Sequence, residues 1–343
     1  MFIVCNVYNK ISVNNKNTNM KQLSNLLFCI VLISACKKDN QTTQNNSSIC
    51  FETTFLNTNI QDGLITVFFL NGKDGFVASY NGGIYKTIDS AKNWTALNST
   101  TNLPIRDIYF IDANNGFAVG EFILRTQNAG QTWNRIFTPS NKFEITSITF
   151  TSNLVGFCVG VNVIYKTIDG GQSWSEYQVN NLGGNMMKIK FSDSQNGFIV
   201  CLFGKILRTT DGGISWQIIS PNKNIGYYSL SSSNGESYVS GQGKILKSVD
   251  NGISWNELAS SPSDIYDIHF TSKNIGYAFG RGNYSGGDFG RSYGSMYCTD
   301  NGGNSWNGNG NFKDVGLIQA ASFPLSKIGY AVSGNKVIRI VVN

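Results

Sequence analysis

The sequence predicts an all-β fold, a seven-bladed β-propeller of four-stranded antiparallel blades, and three observations support this prediction. A short motif that ends in tryptophan recurs six times, and a strand–turn–strand hairpin recurs seven times. Both recur at intervals of about forty residues, the length of one four-stranded propeller blade. The chain also contains 37 glycines, 5 prolines and many aromatic residues, a composition typical of short strands joined by tight turns.

The tryptophan-ended motif includes all six tryptophans of the chain, and successive copies are 39, 41, 42, 39 and 51 residues apart. The shared pattern is Ser/Thr, any residue, Asp/Asn, any residue, Gly, any residue, Ser/Thr, Trp. Ala91 replaces the glycine in the first copy. The acidic or amide residue and the tryptophan of each copy are Asp89 and Trp94, Asn128 and Trp133, Asp169 and Trp174, Asp211 and Trp216, Asp250 and Trp255, and Asn301 and Trp306.

The recurring hairpin shows how the ring closes. Its copies include VFFLNGKDGFVAS in the first unit and ASFPLSKIGYAVSG in the last, and each reads as two strands around a polar turn. There are seven hairpins but six tryptophan-ended motifs, and the last unit lacks a fourth strand. The segment ICFETTFLN from Ile49 can supply that strand, which would leave no free sheet edge. We therefore predict a propeller over residues 49–343, closed by its amino-terminal strand.

The tryptophan-ended motif resembles the Asp-box of BNR-type repeat propellers. Such propellers occur in bacterial sialidases, in sortilin-type receptors and in proteins that resemble photosystem II assembly factors. The resemblance extends over essentially all of residues 49–343 and is nearest in type to the bacterial lipoproteins that resemble photosystem II assembly or stability factors. It implies that each box is a turn between the third and fourth strands of a blade, on the face away from any active site.

The chemistry of the box explains its residues without a ligand. An aspartate before a tight turn accepts hydrogen bonds from the turn amides, and glycine supplies the positive φ that the turn needs. Asparagine can replace this aspartate, whereas a metal site would tolerate the exchange less well. A phosphate-binding glycine loop requires a following helix, and no helical pattern follows the boxes. We therefore expect structural boxes, with each tryptophan packed between blades.

The amino-terminal part of the chain predicts a leader and a tether. We predict that residues 1–35 are a leader that contains a lipoprotein signal peptide, with the true start at Met20. After Met20 a lysine and a short apolar stretch precede the sequence Ile-Ser-Ala-Cys, the pattern of such a signal. This ending resembles a bacterial lipobox and implies cleavage before Cys36 and lipidation of its thiol. The alternative is a plain secretory signal with an incidental cysteine. Residues 36–48 are a polar tether. The expected location is the bacterial cell envelope, lipid-anchored and either periplasmic or surface-exposed.

Function is sought where one repeat departs from the others, and blade six does so. It carries the segment RGNYSGGDFGRSYGS from Arg281 to Ser295, where other blades have a few residues. This insertion lies on the face opposite the boxes, and its tyrosines and arginines among glycines are typical of recognition loops. The alternative is an insertion without a role. The candidate binding residues are Arg281, Tyr284, Asp288, Phe289, Arg291 and Tyr293.

The first strands of propeller blades line the central channel, so their polar residues are a second group of candidates. Counting back from the residue that closes each first strand places one residue per blade at the same depth in the channel. The candidate residues of the channel mouth are Asp107, Lys188, Tyr227 and Asp267 at this depth, together with Arg106, an arginine of the same face that does not recur with the repeat. The alternative is a wet channel with compensating charges that binds no ligand.

The composition argues against several classes of function. A single histidine, His269, makes a multi-histidine metal site or a histidine triad improbable, and neither a metal nor a cofactor is expected. The formal net charge of +6 comes from scattered residues, so no nucleic-acid-binding stripe is expected. The cysteines after Cys36 fit no zinc pattern and fix no disulfide pairing. Cys158 and Cys201 lie in apolar strands and are expected to be buried thiols.

We therefore predict a noncatalytic, monomeric envelope lipoprotein whose propeller binds an envelope or secreted protein, or a glycan, on the face opposite the boxes. One alternative is a sialidase-like glycosidase, because enzymes with these boxes exist. The Arg-Ile-Pro opening of sialidase domains is absent, however, since Pro104-Ile105-Arg106 has the reverse order. Another glycosidase would need two carboxylates, for which Asp107 and Asp267 are candidates. A second alternative is a purely structural spacer.

Overall fold

The computed structural model describes residues 51–343 apart from 222–224, 234, 260–261, 263, 283–292 and 313–314. The leader, Cys36, the tether and the first two residues of the predicted propeller lie outside the described residues. The described chain forms strands β1 to β28, arranged in seven four-stranded antiparallel sheets. The predicted all-β, seven-bladed propeller is thereby confirmed. Within these residues, no helix is long and apolar enough to cross a membrane.

Blades one to four follow one another along the chain, each with its innermost strand first. Blade one contains β2 (Leu64–Phe69), β3 (Gly75–Ser79), β4 (Ile84–Thr87) and β5 (Thr95–Leu97). Blade two contains β6 (Ile105–Phe110), β7 (Gly116–Gly120), β8 (Ile123–Thr126) and β9 (Asn134–Phe137). Blade three contains β10 (Ile145–Phe150), β11 (Gly156–Gly160), β12 (Val163–Thr167) and β13 (Ser175–Gln178). Blade four contains β14 (Met186–Phe191), β15 (Gly197–Cys201), β16 (Ile206–Thr209) and β17 (Gln217–Ile219).

Blades five to seven complete the ring. Blade five contains β18 (Tyr227–Ser233), β19 (Glu236–Gly241), β20 (Ile245–Ser248) and β21 (Asn256–Glu257). Blade six contains β22 (Ile265–Phe270), β23 (Gly276–Arg281), β24 (Gly294–Thr299) and β25 (Asn307–Phe312). Blade seven contains β26 (Ala320–Leu325), β27 (Ile328–Ser333), β28 (Lys336–Val342) and, as its outer strand, β1 (Phe51–Leu56). The first strands contact one another in a closed circle, since β2 touches both β6 and β26.

The two ends of the chain meet in blade seven, as predicted. Strand β1 pairs antiparallel with β28, and the register runs from Phe51 opposite Val342 to Leu56 opposite Val337. The sheet therefore has the order β1-β28-β27-β26. Pairing an amino-terminal strand with a carboxy-terminal one closes the ring and leaves no gap between blades one and seven.

The second strands show why the hairpin sequence is so regular. In blades one to four every residue of the second strand is buried, because its two faces pack against neighbouring blades. The strand opens with glycine because a ring lies on it: a Cβ on Gly116 would stand 2.5 Å from the Phe110 ring. The hairpin pattern of an aromatic residue, a polar turn and glycine is therefore a packing requirement.

The core lies between blades, and the box tryptophans belong to it. Trp133 of blade two is almost fully buried and packs in one cluster with Phe76 and Ile84 of blade one. Trp94 of blade one contacts a cluster that contains Tyr330 of blade seven. Each tryptophan thus fills the space between its own blade and the preceding one. Apolar burial at these seams stabilises the ring as a whole.

The box turns are held by side-chain hydrogen bonds to the turn amides. Asp169 Oδ1 accepts from the backbone amides of Gln172 at 2.9 Å and Ser173 at 3.0 Å. Asn128 Oδ1 accepts equivalently from the Thr132 amide at 2.9 Å. Hydrogen bonds from Ser254 hold the pKa of the Asp250 carboxyl at about 2. Every contact is made within the turn itself, so the box geometry needs no ligand.

A cation on the third strand reaches the box turn of the next blade. Lys86 Nζ donates to the Ala129 carbonyl at 2.9 Å. Lys166 Nζ donates to the carbonyls of Gly212 at 3.3 Å and Gly213 at 3.4 Å. These contacts tie neighbouring blades together, which explains why a lysine or arginine recurs with the repeat.

The cysteines divide into two kinds. Cys158 and Cys201 are buried free thiols, in agreement with the sequence-based expectation. Burial raises the pKa of the Cys201 thiol to about 12, so it is protonated and unreactive at neutral pH. Cys298, which occupies the third-strand position of the cations in blade six, is disulfide-bonded.

The box geometry predicts unequal effects of two substitutions at Asp211. Asp211→Ala removes the acceptor for the amides of Ile214 and Ser215, so we expect a loss of about 1 kcal/mol in the free energy of unfolding. Asp211→Asn should cost only a few tenths of a kcal/mol, because Asn128 keeps this geometry in box two. Chemical denaturation of both variants measures the difference, and equal losses would contradict this account of the box.

Candidate functional site

The two ends of the propeller carry different turns. The box turns and the turns between first and second strands lie at one end, which we call the box face. The turns between second and third strands and the connections between blades lie at the other end, the mouth face. There the central channel opens into a cavity of about 460 Å³ that receives residues from all seven blades. This mouth cavity is lined by Tyr80, Arg106, Glu144, Met187, Tyr228, Tyr266 and Gln319, among others.

A β-bulge in the first strand of blades one to six directs one side chain per blade into the mouth cavity. The pairing register with the second strand shifts at the same place in each of these blades. A bulge leaves its extra residue unpaired and re-aims the side chain. The bulged residues are Ile65, Arg106, Thr146, Met187, Tyr228 and Tyr266, and all of them line the cavity. These six positions therefore set much of its chemistry.

The mouth cavity has an aromatic side and a charged side. Tyr228 of blade five and Tyr266 of blade six stack with ring centroids 4.7 Å apart and planes 1° from parallel. On the other side, Arg106 forms an ion pair with Glu144 at 2.8 Å. The guanidinium carbon of Arg106 also lies 5.7 Å from the centre of the Tyr80 ring. A ligand in this cavity would thus meet tyrosine faces on one side and a paired arginine on the other.

Asp107 lies just below the mouth cavity and connects four blades. Its carboxylate accepts hydrogen bonds from Ser147 Oγ at 3.0 Å and the Ile148 amide at 3.2 Å, both in blade three. Lys188 of blade four lies 3.1 Å from Oδ2, and Thr66 Oγ1 of blade one donates at 3.5 Å. The Asp107 side chain is buried, and its oxygens are occupied by these donors.

Asp267 has the same role on the opposite side of the channel. Ser229 Oγ of blade five donates to Oδ1 at 2.6 Å, and the Ala321 amide of blade seven donates to Oδ2 at 2.7 Å. His269 Nε2 lies 3.0 Å from Oδ2 and donates to it. Asp267 therefore joins blades five, six and seven, as Asp107 joins blades one to four.

The charges in the channel compensate one another. Burial by itself would raise the pKa of Asp267, but His269 and the two lysines Lys188 and Lys190 hold this pKa below its usual value. Burial opposes the charge of Lys188, but Asp107 and Asp267 outweigh it and raise its pKa. Burial lowers the pKa of Lys190 and that of His269, although Asp267 acts in the opposite direction on both.

The channel continues below the mouth cavity into a second cavity of about 300 Å³. It is lined by Phe68, Tyr109, Lys190, His269 and Phe323 together with the two aspartates. The charged channel expected from the sequence is thus present. Its best-connected members, Asp107 and Asp267, are held in internal networks that join the blades.

One candidate residue of the mouth was wrongly placed by the sequence. Tyr227 is fully buried in the core around blade five and does not line either channel cavity. The residue of blade five at the depth of Asp107 is Ser229, two positions further along. Ser232 stands where the other first strands have their closing aromatic residue, and it contacts Ser237 hydroxyl to hydroxyl at 2.9 Å. Without an aromatic residue to count from, the register was misread.

The insertion of blade six begins beside the mouth cavity. Among its candidate residues, Tyr284, Asp288, Phe289 and Arg291 lie outside the described residues. Arg281 is exposed at the end of β23. Burial raises the pKa of Tyr266, and the nearby charge of Arg281 partly opposes this rise. Tyr293 is half-buried just before β24, and its carbonyl accepts from the Gly282 amide at 2.8 Å. The base of the insertion and the mouth cavity are therefore neighbours, which the sequence did not reveal.

Sequence reasoning missed the two tyrosines of the aromatic side, Tyr228 and Tyr266, as well as Tyr80 and Glu144. A regular strand alternates its side chains between two faces, and this alternation assigns the residue before Asp267 to the face opposite that of Asp267. A bulge breaks this alternation. The sequence of a first strand does not mark the bulge, since the bulged residue and the channel position after it both vary among the blades.

The described residues bear on two chemical alternatives, a metal site and a glycosidase. They contain no group of three or more His, Cys, Asp and Glu side chains that could hold a metal ion. Asp107 and Asp267, the two carboxylates considered for a glycosidase, both accept hydrogen bonds from internal donors, and Glu144 at the mouth is paired with Arg106. A glycosidase needs one carboxyl group free to donate a proton and another free to attack or activate water.

Fold and repeat together define an Asp-box β-propeller. The family model described as photosynthesis system II assembly factor YCF48 matches residues 87–216 and 178–322, which is more than half of the chain. The chain therefore belongs to this family, and the resemblance seen in the sequence is confirmed.

Individual relatives agree with this assignment. The photosystem II assembly lipoprotein Ycf48 of Synechococcus sp. (strain CC9902) is 27% identical over 157 residues, which cover 44% of this chain and 47% of that protein. The chloroplastic photosystem II stability/assembly factor HCF136 of Oryza sativa subsp. japonica is 32% identical over 121 residues, covering 32% of this chain and 29% of that protein. The chain thus matches less than half the length of these two relatives.

Solved structures share the fold. One described as YCF48 bound to D1 peptide has a TM-score of 0.69 at 19% identity, over 88% of this chain and 100% of that one. A GH74 xyloglucanase from Xanthomonas campestris has a TM-score of 0.64 at 14% identity, over 84% of this chain and 53% of that one. At these identities the similarity shows the fold alone. By itself it therefore favours neither the function of the enzyme nor that of the peptide-binding protein.

Proposed function

We propose that this protein is a noncatalytic, lipid-anchored envelope propeller that binds a segment of a partner protein in the mouth cavity. The observation that carries the proposal is the set of six bulges, which direct side chains from six blades into one cavity of about 460 Å³. Six equivalent positions of the repeat thus present different side chains to one opening, and this arrangement is suited to recognition. Cavities of this size accommodate a few side chains of an extended segment.

The chemistry of the mouth favours a polypeptide over a carbohydrate. Met187, Leu202 and Leu317 add apolar surface beside the Tyr228–Tyr266 stack, and the Arg106–Glu144 pair offers both charges to main-chain and side-chain groups. Tyrosine and arginine are the residues most often responsible for binding energy at protein interfaces. A related structure is described as YCF48 bound to D1 peptide, so a propeller of this family accepts a peptide.

The anchor rests on the sequence. The Ile-Ser-Ala-Cys ending at Cys36 resembles a lipobox, and the relative from Synechococcus is named an assembly lipoprotein. Lipidation at the thiol and the new amino group would give the stable attachment that a single chain does not provide. The propeller would then act at the surface of an envelope membrane, in the periplasm or outside the cell.

Affinity capture from the solubilised envelope of the source organism tests the binding proposal. The bait is residues 42–343, the compact unit that contains every described strand. Tyr228→Ala with Tyr266→Ala removes the aromatic stack, and we expect recovery of the partner to fall at least tenfold. Gln131→Ala on the box face is the matched control and should leave recovery unchanged. Equal recovery with the double variant would reject the mouth cavity as the binding site, and capture of glycans alone would reject a protein partner.

A further inference from the structure

The box face presents exposed aliphatic side chains at the tips of its turns. The three most exposed lie in boxes three, four and five: Ile168 is 70% exposed, Ile214 81% and Ile253 72%. Further exposed aliphatic residues of this face are Ile88, Leu154, Val249, Ile275 and Leu325. Together with the three isoleucines they stand in or beside the box turns and the first-to-second strand turns of six blades. The large exposed apolar residues of the described mouth-face turns are aromatic instead, namely Tyr80, Phe143 and Phe203.

The box itself does not require these aliphatic residues. Box two has Gln127 where box three has Ile168, and Gln131 where boxes four and five have Ile214 and Ile253. It nevertheless forms the same turn, since Asn128 makes the same contacts. An isoleucine that is mostly exposed to water gains nothing from the fold. The number of these aliphatic residues on the box face, against aromatic residues on the mouth face, is an uneven distribution that contact with an apolar medium at the box face would explain.

The path of the chain before Phe51 favours a lipid bilayer as this apolar medium. Phe51 pairs with Val342 at the end of β28 where the other third strands enter their boxes, so the chain that precedes Phe51 joins the propeller at the box face. Cys36 precedes Phe51 by fifteen residues, which span at most about 50 Å when fully extended. A lipid at Cys36 would therefore attach the propeller to the bilayer through the end of the chain that enters at the box face.

Charge around the point of entry is compatible with a bacterial membrane. Lys73 and Lys92 of blade one and Lys327 of blade seven are exposed on the box face, next to blade seven where the chain enters. Lysines beside an anionic bilayer each add about 1 kcal/mol of attraction. Among the described residues, the exposed carboxylates of this face, Asp112, Asp193 and Asp300, lie in blades two, four and six, outside blades one and seven. The aspartates of boxes three and four accept from the amides of their own turns.

We propose that the box face is a membrane-docking surface whose aliphatic turn tips insert into the interfacial region of a phospholipid bilayer. The choice of a bilayer as occupant rests on the lipid anchor of the proposed function, but not on what the mouth cavity binds. Single aliphatic side chains spread over a flat end of the propeller fit a planar fluid surface, whereas a protein interface concentrates its apolar residues in a central cluster. Docking of this face directs the mouth cavity away from the membrane, toward partners.

Flotation with mixed phosphatidylethanolamine and phosphatidylglycerol vesicles tests the proposal. The protein is again residues 42–343, which lack Cys36, so any binding comes from the propeller and not from a lipid. Ile168→Gln, Ile214→Gln and Ile253→Gln are combined in one variant, because glutamine already occupies equivalent positions in box two. The control variant combines Phe143→Gln and Phe203→Gln, two exposed aromatic residues of the mouth face.

We expect the unmodified protein and the control to float with the vesicles, and the triple variant to lose at least tenfold in the bound fraction. Failure of the unmodified protein to float, or flotation of the triple variant at the same level, would overturn the proposal. The triple variant should still recover the partner in the capture experiment. Loss of vesicle binding and loss of partner binding are therefore separate results, and either proposal can fail alone.

Discussion

Replacing Trp133 with alanine is expected to lower the free energy of unfolding by about 3–5 kcal/mol. Its indole is almost fully buried between blades one and two, where it meets the Phe110 ring edge to face at 6.0 Å between centroids. The cavity left behind would lie in a seam of the ring, and rigid neighbouring strands limit how far it can collapse. Chemical denaturation monitored by circular dichroism measures the loss.

Trp255 is the matched control for this substitution. It occupies the same box position in blade five but is only half-buried, so Trp255→Ala should cost clearly less. Equal losses at the two positions would contradict the view that the tryptophan acts by filling the space between blades, and would favour an effect on the turn itself.

Replacing Asp267 with alanine is the second substitution with a large expected effect, again about 3–5 kcal/mol. It removes the acceptor for Ser229 Oγ and the Ala321 amide, and it leaves Lys188 and Lys190 with one opposite charge fewer. Buried donors without an acceptor and an unbalanced buried charge are both costly. Denaturant unfolding of the variant measures the loss, and a change under 1 kcal/mol would contradict a role in joining the blades.

Asp267→Asn separates charge from hydrogen bonding. The pKa of Asp267 in the folded protein lies below its unfolded value of 3.8, so its charge stabilises the fold above that pH, and this stabilisation is lost as the pH falls through the folded pKa. The difference in stability between the unmodified protein and Asp267→Asn should therefore be constant from about pH 5 to 7 and shrink below pH 4. A difference that stays constant down to pH 2 would contradict the charge assignment.

The repeat made most of the fold predictable. Six boxes fixed the spacing of the blades, and the seventh hairpin with the strand before Leu64 revealed how β1 completes blade seven. These features can be predicted because each is a local packing requirement that recurs in several repeats of the sequence. The repeat in blade five lacks this requirement, because Ser232 replaces the aromatic residue that closes the other first strands. The register of that blade was therefore predicted wrongly, and Tyr227 was assigned to the channel.

The site was less predictable than the fold. The charged pair Asp107 and Lys188 was found because both residues stand on the regular alternation of the first strands. Tyr228 and Tyr266 were missed because bulges aim them at the mouth, and a bulge has no marker in a single sequence. The proximity of Arg281 to Tyr266 depends on the ring, in which residues of different turns become neighbours.

Site-specific photo-crosslinking in the native envelope tests the central claim, that a partner protein binds at the mouth face. The crosslinking residue is placed at Asn185, which is exposed at the mouth cavity, and in a parallel strain at Gln131, which is exposed on the box face. The account predicts a discrete protein adduct from position 185 and none of the same species from position 131. The same adduct from position 131, with none from position 185, would contradict it and assign protein recognition to the box face.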